Sequence, residues 1–85
     1  MTTTCQIMKL NRFNVQALEQ SVRYRLLRIN ERIRSKRSAD KNADLSYIKI
    51  CRKNTDQLLS RVRQIQTQEE YLECIGLYRS FTFEE

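Results

Sequence analysis

Apolar residues recur along the first third of the chain with the period of an α-helix. They are spaced 3, 4, 4, 3 and 4 residues apart, which keeps one helix face apolar over about five turns. These residues are Val15, Leu18, Val22, Leu26, Ile29 and Ile33. Asn11 or Asn14 can cap the start of this predicted helix, because an asparagine side-chain oxygen accepts a bond from a free first-turn amide.

A polar stretch separates this helix from a second one. Residues 35–43, SKRSADKNA, contain no apolar residue larger than alanine and are predicted to form the turn. Candidates for the next N-cap are Asp40, Asn42 and Asp44. A second helix is predicted from about residue 44 to 66, about 34 Å long at 1.5 Å per residue. Its apolar side comprises Leu45, Ile48, Cys51, Leu58, Leu59, Val62 and Ile65.

A capping box predicts a short third helix. In Thr67-Gln68-Glu69-Glu70, the threonine oxygen can accept a bond from the third helical amide while the last glutamate reaches back. The apolar side of this helix comprises Tyr71, Leu72, Ile75 and Tyr78, and Gly76 weakens its far end. Asn54 with Gln57 is a poorer capping match, so a break inside the second helix stays open.

The predicted architecture is all-α: one domain, residues 1–85, with residues 1–10 and 80–85 loosely ordered. A short chain buries only a modest core, and a two-helix hairpin covers one side of each apolar stripe. We therefore expect a homodimer in which the long antiparallel helices form a four-helix bundle. The predicted core and dimer residues are Leu18, Val22, Leu26, Ile29, Ile33, Leu45, Ile48, Leu58, Leu59, Val62 and Ile65.

Composition supports a helical protein with an anionic partner. The 85 residues include no proline and one glycine, and 16 basic against 10 acidic residues give a net charge of +6. Residues 1–37 hold nine basic and two acidic residues, whereas residues 67–85 hold one and five. Such a balance favours nucleic acid or an anionic membrane surface. The acidic end is either held away from the ligand or folded back to screen the basic charge.

The residue inventory argues against an enzyme and against a cofactor. There is no histidine, no glycine-rich phosphate loop, and no serine or cysteine beside an evident base. The chain has three cysteines, Cys5, Cys51 and Cys74, which lie far apart in the sequence. Their odd number and wide spacing argue against a metal site and indicate a reducing, intracellular compartment. No signal peptide or membrane span is evident, so we expect a soluble protein without membrane insertion.

Basic residues on the first helix form a row beside the apolar stripe. Arg25, Arg28 and Arg32 follow one another at steps of 3 and 4, whereas Arg23, Arg34 and Arg37 lie toward the other side. One interpretation is a charged rim whose stems cover the core edge. However, only Glu19 and Glu31 are available in this helix to pair with the arginines, so an external anion is favoured.

The second helix carries two neighbouring strips. One comprises Cys51, Asn54, Leu58, Arg61 and Ile65, and the other Lys53, Gln57, Ser60 and Gln64. Amides, hydroxyls and cations suit the riboses and phosphates of A-form RNA, whose narrow major groove excludes side chains. A solvated surface remains the alternative, as does a core role for Cys51, and Tyr47 is expected at the core edge.

A resemblance joins these residues. Asp44-Leu45, Ile48, Cys51 and Ser60-Arg61 resemble the second-helix pattern of the nodavirus suppressors of RNA silencing, which are small proteins that bind double-stranded RNA. The resemblance implies an antiparallel homodimer, a four-helix bundle lying along one face of the duplex. It also implies that the protein contacts successive minor grooves without reading sequence, with Cys51, Asn54 and Arg61 facing the RNA.

The implied function is suppression of host RNA silencing by a viral protein in the host cell cytoplasm. The protein would shield duplexes from a Dicer-type nuclease and hold small interfering duplexes, while direct contact with that nuclease stays open. Asn54 departs from the family pattern, since a lysine stands there in a relative, and Lys53 is one position earlier. The family's proline at the third helix is replaced by Thr67 with Glu70.

Two other functions remain open at this stage. One is a helical protein–protein interaction module, acting as an adaptor or as an inhibitor of an acidic host factor. The other is a helix lying on an anionic membrane, which the lack of tryptophan and the use of the apolar faces for packing disfavour.

Overall fold

The computed structural model describes residues 9–80, which form three α-helices and no strand. These are α1, Arg12–Ala39; α2, Ser46–Arg63; and α3, Gln68–Ser80. The predicted all-α class is therefore confirmed. Loose order was predicted for residues 1–10 and 80–85; of these, 1–8 and 81–85 lie outside the described residues, residues 9 and 10 precede α1 without helical structure, and Ser80 is helical as the last residue of α3, which corrects the prediction there.

The first helix is capped by Asn11, whose side-chain oxygen accepts a bond from the Phe13 amide at 2.9 Å. It continues to Ala39, so the prediction that the turn begins at residue 35 is wrong. No glycine or proline interrupts this stretch, and Lys36 and Arg37 suit the negative end of the helix dipole. The helix is followed by Asp40, which has an extended backbone and whose side chain accepts a bond from the Asn42 amide.

The second helix is shorter than predicted and is not broken at Asn54. Its 18 residues correspond to about 27 Å of helix axis rather than about 34 Å. Before its first turn, Asp44 accepts bonds from the amide and the hydroxyl of Ser46, which lower the pKa of that carboxyl. At its other end the chain leaves the helix at Gln64, and Ile65 turns into the core.

The capping box at α3 is confirmed. The Glu70 amide donates to the Thr67 hydroxyl oxygen, and the Glu70 carboxylate accepts from the amides of Thr67 and Gln66. These amide bonds lower the pKa of Glu70. Gly76 does not end the helix, which runs on to Ser80.

The core consists of two clusters along the hairpin formed by α1 and α2. The cluster beneath α3 contains Val15, Leu18, Val22, Leu58, Leu59, Val62, Ile65 and Cys74. The cluster nearer the turn contains Ile29, Ile33 and Ile48, with Leu45 and Cys51 packed against it. Every predicted core residue is buried or half-buried within one chain. These residues therefore leave little apolar surface for the dimer that the sequence predicts.

Other apolar side chains remain on the surface of the single chain. They are Phe13, Tyr24, Leu27, Tyr47, Ile50 and Leu72, each at least 49% exposed. None of the described helices is long and apolar enough to cross a membrane.

Candidate nucleic-acid interface

The third helix lies across one side of the hairpin and contacts an arginine from each long helix. Arg25 of α1 donates to the Tyr78 carbonyl oxygen at 3.0 Å, and its guanidinium lies 3.8 Å from the centre of the Tyr78 ring. Arg61 of α2 forms an ion pair with Glu73. Because both arginines contact α3, the α1 row and Arg61 lie on the same side of the hairpin. We call this side the basic face: Arg25, Arg28, Arg32 and Arg61.

Arg61 is on the surface rather than in the interior. Its side chain is 52% exposed and that of Glu73 is 62% exposed. Arg61, Asn54 and Gln57 line a shallow groove whose floor and wall are Leu58 and Leu77. A phosphate approaching Arg61 along this groove would meet the guanidinium beside a carboxylate.

The members of the α1 row differ in how accessible they are. Arg25 is half-buried against α3, where its guanidinium contacts the carbonyl oxygen and the ring of Tyr78. Arg28 is half-buried and lies 5.7 Å from the centre of the Tyr24 ring. Arg32 is exposed, and no ion pair to it is found among residues 9–80. Arg32 is thus the most available cation of the predicted row.

Cys51 and Asn54 sit deeper than their predicted role requires. Both are half-buried, and Cys51 packs against the Ile29, Ile33 and Ile48 cluster. The structure therefore favours the core-edge role for Cys51, although part of its side chain remains at the surface. Tyr47, expected at the core edge, is instead 61% exposed.

The polar strip of α2 is divided between two directions: Gln57 and Gln64 each line a groove together with Arg61, whereas Lys53 and Ser60 face away from it. Lys53, Gln57, Ser60 and Gln64 are all exposed. Successive residues of a helix point about 100° apart, so Ser60 and Lys53 are turned away from the Arg61 strip by roughly that angle. A flat ligand on the basic face reaches Gln57 at the boundary more readily than Lys53 or Ser60.

The opposite edge of the hairpin has its own contacts. Arg63 pairs with Glu19 at 3.2 Å, and Arg12 donates to the Ile65 carbonyl oxygen at 3.1 Å. These bonds engage two cations of that edge. Because Glu19 is already paired with Arg63, it does not neutralise an arginine of the basic face. Exposed arginines remain there too, at positions 23, 34 and 37.

The contribution of α3 to the basic face was not located by sequence reasoning. The only signal was the excess of acidic residues after position 66, which is consistent with self-screening. The structure places one of them, Glu73, on Arg61. Next to it in sequence, Cys74 is 2% exposed, and burial raises the pKa of its thiol. Cys74 therefore behaves as a packing residue.

No cluster of residues suited to holding a metal ion occurs between residues 9 and 80. In comparisons with known proteins, no family model, no curated protein and no solved structure matches the chain. The functional argument therefore depends on the side chains themselves.

Proposed function

We propose that the protein binds double-stranded RNA without reading its sequence, and that it thereby shields duplexes from Dicer-type processing and suppresses host RNA silencing. The observation that supports this most directly is the common side shared by the α1 arginine row and Arg61. The 28 residues of α1 span about 42 Å, so cations are spread along a rod instead of being gathered in a pocket. Such a surface suits phosphates that repeat along a duplex.

The protein acts as a homodimer with four long helices, in the host cell cytoplasm, as the family resemblance of α2 implies. Its ligands include small interfering duplexes. Occlusion requires neither catalysis nor a cofactor, which is consistent with the residue inventory of the sequence.

Gel shifts with duplex RNA, duplex DNA and single-stranded RNA of one sequence test the proposal. We expect duplex RNA to bind most tightly, because the 2′-hydroxyls and the A-form backbone are then part of the contact. Equal binding to all three would mean that bulk charge alone is responsible. Arg32→Gln should weaken binding, whereas Arg23→Gln, the same charge change on the opposite edge, serves as the matched control.

Protection from cleavage tests the second half of the proposal. Saturating protein should slow cutting of a long RNA duplex by a purified Dicer-type nuclease in proportion to duplex occupancy. If cleavage slows at protein concentrations too low to cover the RNA, the protein acts on the nuclease.

A second candidate function is a helical protein–protein interaction module, or an inhibitor of an acidic host factor. The exposed Phe13, Tyr24 and Leu27 of α1 favour it, because they recur on one helix face, and contiguous exposed apolar surface commonly marks a partner site. Absence of any RNA shift would favour this candidate.

A further inference from the structure

The connection between α1 and α2 holds a cavity that the proposed function does not use. It lies at the turn end of the hairpin and has a volume of about 470 Å³, within the range of about 300–1,000 Å³ that is usual for small-molecule sites. Arg37, Lys41 and Lys49 form its basic side, and Ala43 and Leu45 form its apolar side. We call this space the turn cavity.

Three cations converge on the turn cavity without an acidic partner in the described chain. Arg37, Lys41 and Lys49 are all exposed, and the ion pairs found among residues 9–80 involve none of them. Like charges gathered around one concavity repel one another until an anion enters it. A guanidinium binds phosphate oxygens bidentately, and a lysine ammonium binds them as a point charge. The three side chains therefore suit a compact phosphate group.

One carboxylate lies in the same lining, and it is already engaged. The Oδ1 atom of Asp44 accepts bonds from the hydroxyl of Ser46 at 2.6 Å and from its amide at 3.0 Å. These two bonds lower the pKa of Asp44, with a smaller contribution from the charge of Lys36, so this carboxylate stays ionised at neutral pH. The lining therefore has three cations against one anion, and Asp44 weakens the attraction for a second anion without cancelling it.

The turn cavity opens on a different side of the hairpin from the basic face. Counting about 100° per residue, Arg37 is turned by about 140° from Arg32 on α1, and Lys49 by about 120° from Arg61 on α2. Arg37 instead lies about five full turns after Glu19, on the edge that carries the Glu19 ion pair. A duplex lying along the basic face therefore leaves the turn cavity open.

We propose that the turn cavity is a second anion site, which takes a phosphate monoester of about mononucleotide size. Such a phosphate carries close to two negative charges at neutral pH, whereas a backbone phosphate carries one, so three converging cations favour the monoester. The half-buried Ala43 and Leu45 can pack against the sugar that the phosphate carries. The source is a free nucleotide or the 5′ end of an RNA strand, and only the second of these rests on the proposed function.

Titration of the ¹⁵N-labelled protein with AMP, followed by NMR, tests the site without RNA. AMP should give saturable shifts at the backbone amides of Arg37, Lys41 and Lys49. Adenosine has the same sugar and base without the phosphate, and it should give none. Shifts that do not saturate, equal shifts with adenosine, or shifts as large at Arg28 and Arg32 as at the turn would overturn the proposal.

Single-charge variants test which side chains hold the phosphate. Arg37→Gln and Lys49→Gln should each weaken AMP binding by about 1.4- to 5-fold, as expected for the loss of one exposed charge pair. Arg34→Gln removes the same charge about one turn earlier on α1, outside the lining, and should change the affinity less. Asp44→Asn keeps an oxygen for the Ser46 amide and should tighten binding, because it removes a repulsion. Equal effects of Arg34→Gln and Arg37→Gln, or no gain with Asp44→Asn, would contradict the assigned site.

Competition with RNA identifies the source of the phosphate and separates the two proposals. If strand ends are the source, an RNA hairpin with a 5′ phosphate should displace AMP, and the same hairpin with a 5′ hydroxyl should not. Displacement by neither hairpin identifies a free nucleotide. Displacement by both would show that the turn cavity belongs to the duplex-binding surface and would overturn a separate site. RNA binding without AMP binding refutes only this inference, and AMP binding without RNA binding refutes only the proposed function.

Discussion

Removing the carboxylate of Glu73 should strengthen RNA binding. In the free protein Glu73 neutralises Arg61, so an RNA phosphate has to displace one anion to reach another. Glu73→Gln leaves a side chain of nearly the same shape without the charge. Arg61 then reaches the phosphate without first breaking an ion pair, and the repulsion between Glu73 and the RNA is removed.

The size of the effect follows from exposure. Both partners are more than half exposed, at 52% and 62%, and exposed ion pairs contribute about 0.2–1 kcal/mol. Removing that cost should tighten Kd by about 1.4- to 5-fold. Arg61 would also count fully as a phosphate contact, which steepens the plot of log K against log salt by up to about 0.9. Arg61→Gln should have the opposite effect on both quantities.

The assay is a fluorescence anisotropy titration of an RNA duplex at several salt concentrations. Glu69→Gln is the matched control, because it changes the net charge equally on the same helix, and no ion pair to Glu69 is found among residues 9–80. Equal tightening by both variants would show that only overall charge matters. If Arg61→Gln weakens binding but Glu73→Gln leaves affinity and salt slope unchanged, Glu73 does not restrain Arg61. If neither variant has an effect, Arg61 is not an RNA contact.

Three further predictions concern the fold. Thr67→Ala should destabilise the protein by about 1 kcal/mol in urea unfolding, because the Glu70 amide loses its cap; an unchanged midpoint would show that α3 does not need it. Because the folded-state pKa of Glu70 is lowered, its contribution is complete above the ordinary glutamate pKa and is lost as pH falls through the folded value. Helicity should therefore decline below about pH 4.3, and Glu70→Gln should reduce that decline in circular dichroism. Ile29→Ala should cost about 2–5 kcal/mol, because Ile29 is 0% exposed, whereas Ile50→Ala, at 58% exposed, should stay within about 0.5 kcal/mol; similar costs would contradict the assigned faces.

The helices of this chain could be predicted because local rules determine them. Residues at intervals of 3 and 4 mark the buried face of α1, and the Thr67–Glu70 box marks the start of α3 to within one residue. Boundaries were less predictable where the polar residues 35–39 are compatible with both helix and turn. The helical conformation of that stretch reflects the absence of a breaker rather than an apolar pattern.

Contacts between helices could not be read from the sequence. The wheel of α1 places Arg25 beside the stripe, but only the packing of α3 shows that Tyr78 covers it. Likewise, the apolar positions of α1 and α2 do not reveal whether one chain or two bury them. The structure shows that one chain is enough to bury that core. It also leaves Phe13, Tyr24 and Leu27 exposed, which the spacing of apolar residues in the sequence did not predict.

The unequal size of the two core clusters gives the hairpin an uneven stability along its length. Eight buried residues and α3 hold one end, whereas three buried isoleucines hold the end nearest the turn. Arg28, Arg32 and Arg34 crowd like charges around that weaker end. We therefore expect backbone amides there to exchange with solvent faster than those beneath α3. The difference in core size predicts that the end of the hairpin nearest the turn opens locally before the end beneath α3 unfolds.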